Sequence, residues 1–505
     1  MKIGIDLGSS TTLSAFVGVE GVPVLIPDAA DQNRQSTPSR VLLQGDRALI
    51  GHYAERLGRE SAAATIVANF KRHFGTNQIL AQCAGQPVYS EAMAALLLKK
   101  VRNDAEIYTG EAVDSCVITV PAHFHEQQRR SLVAAAQIAG LDLIALLDEP
   151  IAAALNYSSN HDLGDDEIIV IYDIGGGTFD LSILTCANNQ VHILAKSGLT
   201  NLGGFDFDQI LQQRFREDYA AAFGAKPKKN DVNEHRISRI AEDIKFRMNE
   251  GGRAWPSVDV YIDGKFLRWA VDPLEYRAKA DALLKKTEQS VLKTLRGIGL
   301  ELADVGRFVL IGGASRAAIV QQFWAERLQG ASQILVTNQP LESVAKGAAL
   351  YAHSFAKTQD GAGFISNLRM SSVTAYNIGI RDDASGKFER LIDKNAALPA
   401  SGGAMIGVNP AGRNGFSAQL FQYLDDPDHM DPIGKIIVQP HNLAGKSVVE
   451  LTIKNNEDGT LGVKVIDPQS RKVVPFIFED SAADGRDVTA QKKVIAGLRI
   501  NAQEV

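Results

Sequence analysis

Cysteine is scarce in this 505-residue chain: three in all, Cys83, Cys116 and Cys186, far apart in sequence. They match no metal-ligand spacing and no disulfide framework, so they read as buried thiols of a reducing compartment. An excess of one charge is lacking too. With 53 Lys and Arg against 59 Asp and Glu, the formal net charge is −6. Bulk charge therefore points neither to nucleic acid nor to a membrane surface. Long apolar runs are missing: "AALLLKKV" is broken by lysines too soon to span a bilayer. The opening "MKIGIDLGSS" enters a strand pattern at once, without the regions of a signal peptide. Cytoplasmic location is the expectation. Two nucleotide signatures are also absent. No G-x-x-x-x-G-K-[ST] occurs, which excludes a P-loop. No G-x-G-x-x-G opens a helix after a strand, which argues against a dinucleotide site.

What is present suits a globular protein of two to four domains, with 45% hydrophobic and 22% charged residues. Up to about residue 355, strand-like runs at 2–7, 115–120, 167–174 and 307–312 alternate with long helical patterns. The helical stretches are 88–108, 126–139, 206–223, 234–250, 272–298 and 340–356, a mixture that predicts an α/β fold. After residue 370 the texture becomes short alternating runs punctuated by Gly, Pro, Asn and Asp, with a hairpin turning at Asp458-Gly459. The expected division is an α/β domain at 1–356, a linker at 357–370, a β-rich domain at 371–480 and a short tail at 481–505. One short helix around 488–498 is the most that the tail pattern holds.

An internal repeat carries more information. Residues 5–12 read I-D-L-G-S-S-T-T and residues 172–179 read Y-D-I-G-G-G-T-F. Each unit is an apolar strand, an aspartate, a turn of small or hydroxylated residues, and a second strand. The spacing is close to half of the α/β region, which predicts two related lobes. A third small turn, "LIGGASR" at 310–316, ends another apolar strand. Turns of small residues can aim several backbone N–H groups into one concavity, a nest for phosphate. A plain hairpin would explain a single glycine run. The repetition, the hydroxyls of Ser9, Ser10, Thr11 and Thr178, and the third turn favour two nests facing across a cleft. Asp6 and Asp173 then suit a magnesium ion held through water, since that ion needs few carboxylates besides phosphate.

These segments, with "FKRHFG", "VITVPAHFHEQQRRSLVAAAQIAGL", "LLDEPIAAALNY", "NLGGFDFDQIL", "VLIGGASRAAIV" and "SVAKGAALYA", resemble in order those of the DnaK-type chaperones, the 70-kDa heat-shock protein family. The resemblance implies an α/β actin-like two-lobed ATPase domain followed by an all-β peptide-binding sandwich domain. It implies ATP/ADP and Mg2+ as ligands and extended apolar peptides as partners. By the same resemblance, Gly8, Ser9, Ser10 and Thr11 form the first phosphate turn, and Gly175, Gly176, Gly177 and Thr178 the second. Gly203 and Gly204 stand beside the second turn. Asp173 and Asp180 hold magnesium waters and order the attacking water. Lys71 is the catalytic lysine, although alone it would read as a surface neighbour of Arg72. Glu149 is a water-orienting carboxylate, its place before Pro150 equally suits a helix N-terminus, and the small run Ala152-Ala153-Ala154 implies that this helix packs closely against something. Glu242, Lys245 and Asn249 fall on the nucleoside helix. Gly312, Gly313, Ser315 and Arg316 form the adenine turn, with Arg316 able to stack on the base. Pro121 and Arg129 relay peptide occupancy. His123 and His125 could suggest a metal pair, but no third ligand accompanies them.

Several positions depart from the family pattern. Phe246 stands where a base-stacking arginine is frequent, and Leu341 where an aspartate is usual. The stretch "GAGFISNLRMSSV" replaces the acidic-aliphatic linker, and about 25 residues follow the β-rich region, too few for the family's helical lid. The resemblance implies a J-domain co-chaperone and a nucleotide-exchange factor; the altered linker and missing lid count against both. Three functions follow: an ATP-hydrolysing peptide-binding chaperone without a lid, a nucleotide-switched regulator or scaffold whose β-domain binds one dedicated partner, or a metabolite kinase of the same superfamily. The last would need an acceptor pocket and a catalytic base that no motif supplies.

Overall fold

The computed structural model describes residues 1–60, 66–158, 167–187, 190–248, 256–328, 333–336, 342–355, 370–408, 415–424, 426, 429–443, 446–480 and 487–501. The chain is mixed α/β with several sheets, and two of them repeat one design. In the first, strands Asp142–Asp148, Ser115–Val120, Lys2–Leu7, Thr11–Val17 and Pro23–Leu25 lie side by side in that order. In the second, Gln333–Val336, Arg307–Ile311, Ile168–Ile174, Phe179–Ala187 and Gln190–Leu199 do the same. Each sheet therefore has an antiparallel meander on one side and two parallel strands on the other. The inner parallel strands Ser115–Val120 and Arg307–Ile311 are buried along nearly their whole length, as a strand covered on both faces requires. The strands and helices read from the sequence fall within a few residues of these elements and of helices Ser90–Thr109, Glu126–Ala139, Gly204–Phe223, Asp231–Arg247, Pro273–Gly297 and Ser343–Ser354.

Helix ends follow local chemistry. Ser90–Thr109 and Glu126–Ala139 both stop at a glycine with positive φ, Gly110 and Gly140. Glu126–Ala139 begins with a reciprocal cap: the His125 ring accepts from the Gln128 N–H, and the Gln128 side chain accepts in return. His125 is thus occupied as a cap, away from any metal pair.

Between the two sheets lie helices Glu149–Ser158 and Ser343–Ser354, which share one apolar core with the inner strand faces. The small run Ala152-Ala153-Ala154 predicted a close neighbour, and Gly347 is that neighbour. A Cβ on Gly347 would overlap the Ala152 carbonyl, so the backbones touch.

The β-rich region holds a five-stranded and a three-stranded antiparallel sheet. Phe388–Ile392, Asn377–Asp382, Phe416–Tyr423, Asp431–Val438 and Ile477–Asp480 form the first; Ala400–Gly407, Val448–Asn455 and Leu461–Ile466 form the second. One core serves both. Gly459, with φ 77°, turns the expected hairpin. The expected linker 357–370 lies outside the described residues but for Met370, and Met370–Ser371 extends the second α/β sheet beside Val191 and His192. This region rests against helix Glu126–Ala139. The Glu126 N–H donates to Gln422 (3.2 Å), Gln127 donates to the Pro432 carbonyl, and Arg130 pairs with Asp480 (3.2 Å).

Residues 488–496 form the helix expected there, Val488–Ala496. Its destination is the first lobe. Ile495 is buried in that lobe's core, and the Gln491 side chain bonds the backbone of Pro87 and Tyr89. Strand Arg499–Ile500 then pairs in parallel with Arg47–Ile50. The Asn501 side chain accepts from the Ile50 N–H at 2.7 Å. Among the described residues no helix is long and apolar enough to cross a membrane.

The Ala152–Gly347 contact yields a test. Gly→Ala inside a helix ordinarily gains about 0.5–1 kcal/mol, whereas forcing a methyl into a filled contact costs about 1–3 kcal/mol. Gly347→Ala is therefore expected to destabilise the protein by about 1–2 kcal/mol or more in denaturant unfolding. A more stable variant would remove the backbone contact as a constraint.

Candidate functional site

Two tight turns confront each other above the helix pair. One joins Lys2–Leu7 to Thr11–Val17 through Gly8, Ser9 and Ser10; the other joins Ile168–Ile174 to Phe179–Ala187 through Gly175, Gly176, Gly177 and Thr178. A Cβ on Gly176 would strike the Ser10 hydroxyl, and one on Gly177 would lie 2.9 Å from Ser9 Oγ. Glycine is needed because the opposite turn occupies that space. The Gly175 N–H donates to the Thr178 carbonyl at 3.0 Å, closing the second turn. Helix Gly204–Phe223 braces it: the N–H groups of Gly204 and Phe205 donate to the carbonyls of Gly175 and Gly176, each at 2.8 Å. Arg72 locks the back, donating to the Gly177 carbonyl (2.8 Å) and to Asp206 (2.9 Å). Asp206 also accepts from the Gly203 N–H at 2.7 Å. Arg72, a surface residue on sequence grounds, is a clamp between the halves.

A cavity of about 200 Å3 lies between the turns and the helix pair. From the first half it takes Asp6, Gly8, Ser9, Ser10, Thr11, Lys71 and Glu149. From the second it takes Asp173, Gly175, Gly176, Thr178 and Gly204. Its far end is lined by Glu242, Lys245, Gly312, Gly313 and Arg316. Gly177 and Gly203 stand one layer back, packed on each other. Ser315 is buried and donates to the Gly312 carbonyl at 2.7 Å, so it shapes the turn without facing the cavity. Lys245 pairs with Asp208 at 2.7 Å. Asn249 and Leu341 lie outside the described residues.

The charge balance of the cavity is unusual. Lys71, buried, pairs with Glu149 at 2.8 Å, and Asp6, Asp173 and Asp180 surround that pair. Burial pushes the Glu149 carboxyl up to about 8 although Lys71 pulls it down, with Asp180 and Asp6 adding repulsion. Burial raises Asp6 to about 6 against the pull of Lys71 and the Thr119 hydroxyl. Asp173 stands well above the usual carboxylate range, through burial first and then the repulsion of Glu149, Asp180 and Asp6. One ammonium does not balance four carboxylates, so a cation is favoured here. Among the described residues no three ligand-type side chains converge on one point. A hydrated ion such as magnesium needs few direct carboxylates, and Asp6 and Asp173 are the residues that could hold one through water.

Arg129 sits beside this site, whereas Pro121 closes the turn before helix Glu126–Ala139, its carbonyl accepting the Phe124 N–H at 3.0 Å. Arg129 is buried, donating to Asp148 (2.7 Å), to the Asp458 carbonyl (2.9 Å) and to the Phe124 carbonyl (3.2 Å). Lys196 shares Asp148. The arginine therefore joins the β-rich hairpin to the residue preceding Glu149. Asp148, Lys196 and the Asp180–His123 contact (2.8 Å) were missed by sequence reasoning, because only the fold brings them together.

Asp173 gives the pH test. Its native value exceeds its unfolded one, so above about pH 4 the unfolded chain has lost a proton that the native state still holds, and stability falls as pH rises. In ligand-free protein, Asp173→Asn is expected to raise the melting temperature by about 2 °C at pH 8, with a smaller gain at pH 5. A gain that does not grow with pH would contradict the uncompensated carboxylate.

Comparison with known proteins identifies the family. Residues 2–492 match the family described as HSP70, Hsp70 protein. The chain is 31% identical over 404 residues to "Chaperone protein DnaK" of Methanothermobacter thermautotrophicus, covering 79% of this chain and 66% of that protein. It is 28% identical over 488 residues to "Chaperone protein DnaK" of Halobacterium salinarum, covering 95% of this chain and 75% of that one. With a family match that runs almost from end to end, the chain belongs to the Hsp70 family.

Proposed function

We propose that this protein is an ATP-dependent chaperone that hydrolyses ATP to ADP and phosphate and couples the reaction to holding extended apolar peptide segments. In this reading residues 1–356 are an actin-like two-lobed ATPase domain and residues 371–480 a β-sandwich that takes the peptide. The repeated sheet order of the two lobes and the shared core of the two antiparallel sheets support that division. The observation that carries the proposal is the pair of opposed turns, Ser9–Ser10 against Gly176–Gly177, with the Lys71–Glu149 pair beneath them.

The roles follow from position. Backbone N–H groups of the two turns cradle the phosphates. Lys71 meets charge developing on the γ-phosphoryl group, where a preplaced cation lowers the barrier. Glu149 and Asp180 accept hydrogen bonds from the attacking water. Its oxygen bonds to the γ-phosphorus while the bond to ADP breaks, ADP keeps that electron pair, and one proton is released. Asp6 and Asp173 are the residues that would hold a magnesium ion through water, and that ion would supply charge neutralisation to the phosphates. Glu242, Lys245, Gly312, Gly313 and exposed Arg316 receive the nucleoside. Arg129 carries the coupling, since it grips Asp148, next to Glu149, and the Asp458 carbonyl of the β-rich region at once. Cytoplasmic location belongs to the same reading, which the free, buried Cys83 and Cys116 support.

Single-turnover ATP hydrolysis tests the proposal directly. Lys71→Ala is expected to slow hydrolysis by about 100-fold or more. An excess of extended apolar peptide should raise the parental rate, and Arg129→Ala should abolish that rise with the basal rate retained within a few-fold. A parental rate that ignores peptide would remove the coupling; a Lys71→Ala rate equal to the parent's would remove the site assignment.

A further inference from the structure

His123 lies in the turn between Pro121 and the helix capped by His125. Its ring is buried, 3% exposed, and stands edge to face with Phe124. Nδ1 is 2.8 Å from Asp180 Oδ1, and the His123 N–H points to the same oxygen at 3.4 Å. The ring lies against Gly198, where any Cβ would overlap it. Nε2 is buried and has no partner among the described residues. The His123 carbonyl accepts the hydroxyl of Tyr376, from the β-rich region. His123 also lines a cavity of about 660 Å3, bounded by Ser9, Lys71 and Thr178 from the cleft and by Tyr376 and Tyr423 from the β-rich region.

We propose that His123 is a positioning residue for ATP hydrolysis: its Nδ1–H fixes the Asp180 carboxylate as an oriented acceptor for the attacking water. The inference rests on reading the cleft as an ATPase site. A ring buried only for bulk would not need a carboxylate on one nitrogen and a vacant second one, since an unmade buried hydrogen bond is costly. Nδ1–H donates to Asp180, and Nε2 is left without a partner among the described residues. Gly198 leaves room for the ring, and Tyr376 pins the backbone that carries it. The arrangement follows the logic by which a carboxylate and an imidazole hold one another in register in hydrolytic sites.

The test compares three substitutions by single-turnover hydrolysis, ADP affinity and melting temperature. His123→Phe keeps the ring's bulk and removes the donor. The hydrolysis rate is expected to fall about 10- to 100-fold, as for a displaced catalytic group, with ADP affinity and melting temperature near the parent's. His123→Asn puts an amide donor near the Nδ1 position and should recover a large part of the rate. His123→Gln reaches the Nε2 position instead and should stay slow. A His123→Phe rate within about twofold of the parent's would overturn the proposal, as would an Asn variant no faster than Phe. If His123→Phe does not fold, the Asn-over-Gln order decides alone. Loss of ADP affinity in step with rate would make His123 a binding or structural residue. A parent that neither binds nor hydrolyses ATP would overturn the cleft reading together with this proposal.

Discussion

The backbone contact between Ala152 and Gly347 sets the geometry on which the site depends. Two helices that touch without intervening side chains hold the inner faces of both sheets at a fixed separation. Any side chain at position 347 would move the helices apart. Because Glu149 opens one of these helices, and Lys2–Leu7 packs on the other, the same separation governs how near the two phosphate turns come. Packing at native density leaves little slack to absorb a shift. The Ser10–Gly176 confrontation is thus the far end of a lever whose pivot is a pair of small residues.

Asp148 and Glu149, neighbours in the chain, have opposite electrostatic fates. Burial alone would raise both. Lys196 and Arg129 nevertheless hold Asp148 below the usual carboxylate range, while burial, with the repulsion of Asp180 and Asp6, raises Glu149 to about 8 against the pull of Lys71. The strand ends between them, so one side chain faces the β-rich region and the next faces the cleft. A single peptide unit separates a fully compensated ion cluster from an uncompensated one. Movement of the Asp458 turn away from Arg129 would weaken the first cluster next to the second, which gives coupling a physical route without a long chain of contacts.

Much of this was legible in the sequence. Apolar strands ending in aspartate and glycine located both turns, and their repetition has its counterpart in the repeated strand order of the two α/β sheets. The Ala152-Ala153-Ala154 run announced a close helix contact without naming Gly347. Other features depend on distance in the chain. Arg72 and Gly177, Arg129 and Asp458, and His123 and Asp180 carry no mutual signal, because a charge pair across the fold has no fixed spacing. The helix at 488–496 could be read from its pattern, but an apolar face does not state which surface it covers. The first lobe that receives it was found only in three dimensions.

That last feature bears on how the protein comes into being. Asp46 and Arg499, which pair where the terminal strand joins its sheet, are 453 residues apart in the chain. At about 5–20 residues per second, the ribosome delivers that strand roughly 20 to 90 s after its partner. Through that interval the edge of Arg47–Ile50 is open to any other strand. Birth order and assembly order are therefore opposed: a sheet begun before the second α/β sheet and the β-rich region is completed only after both have been made.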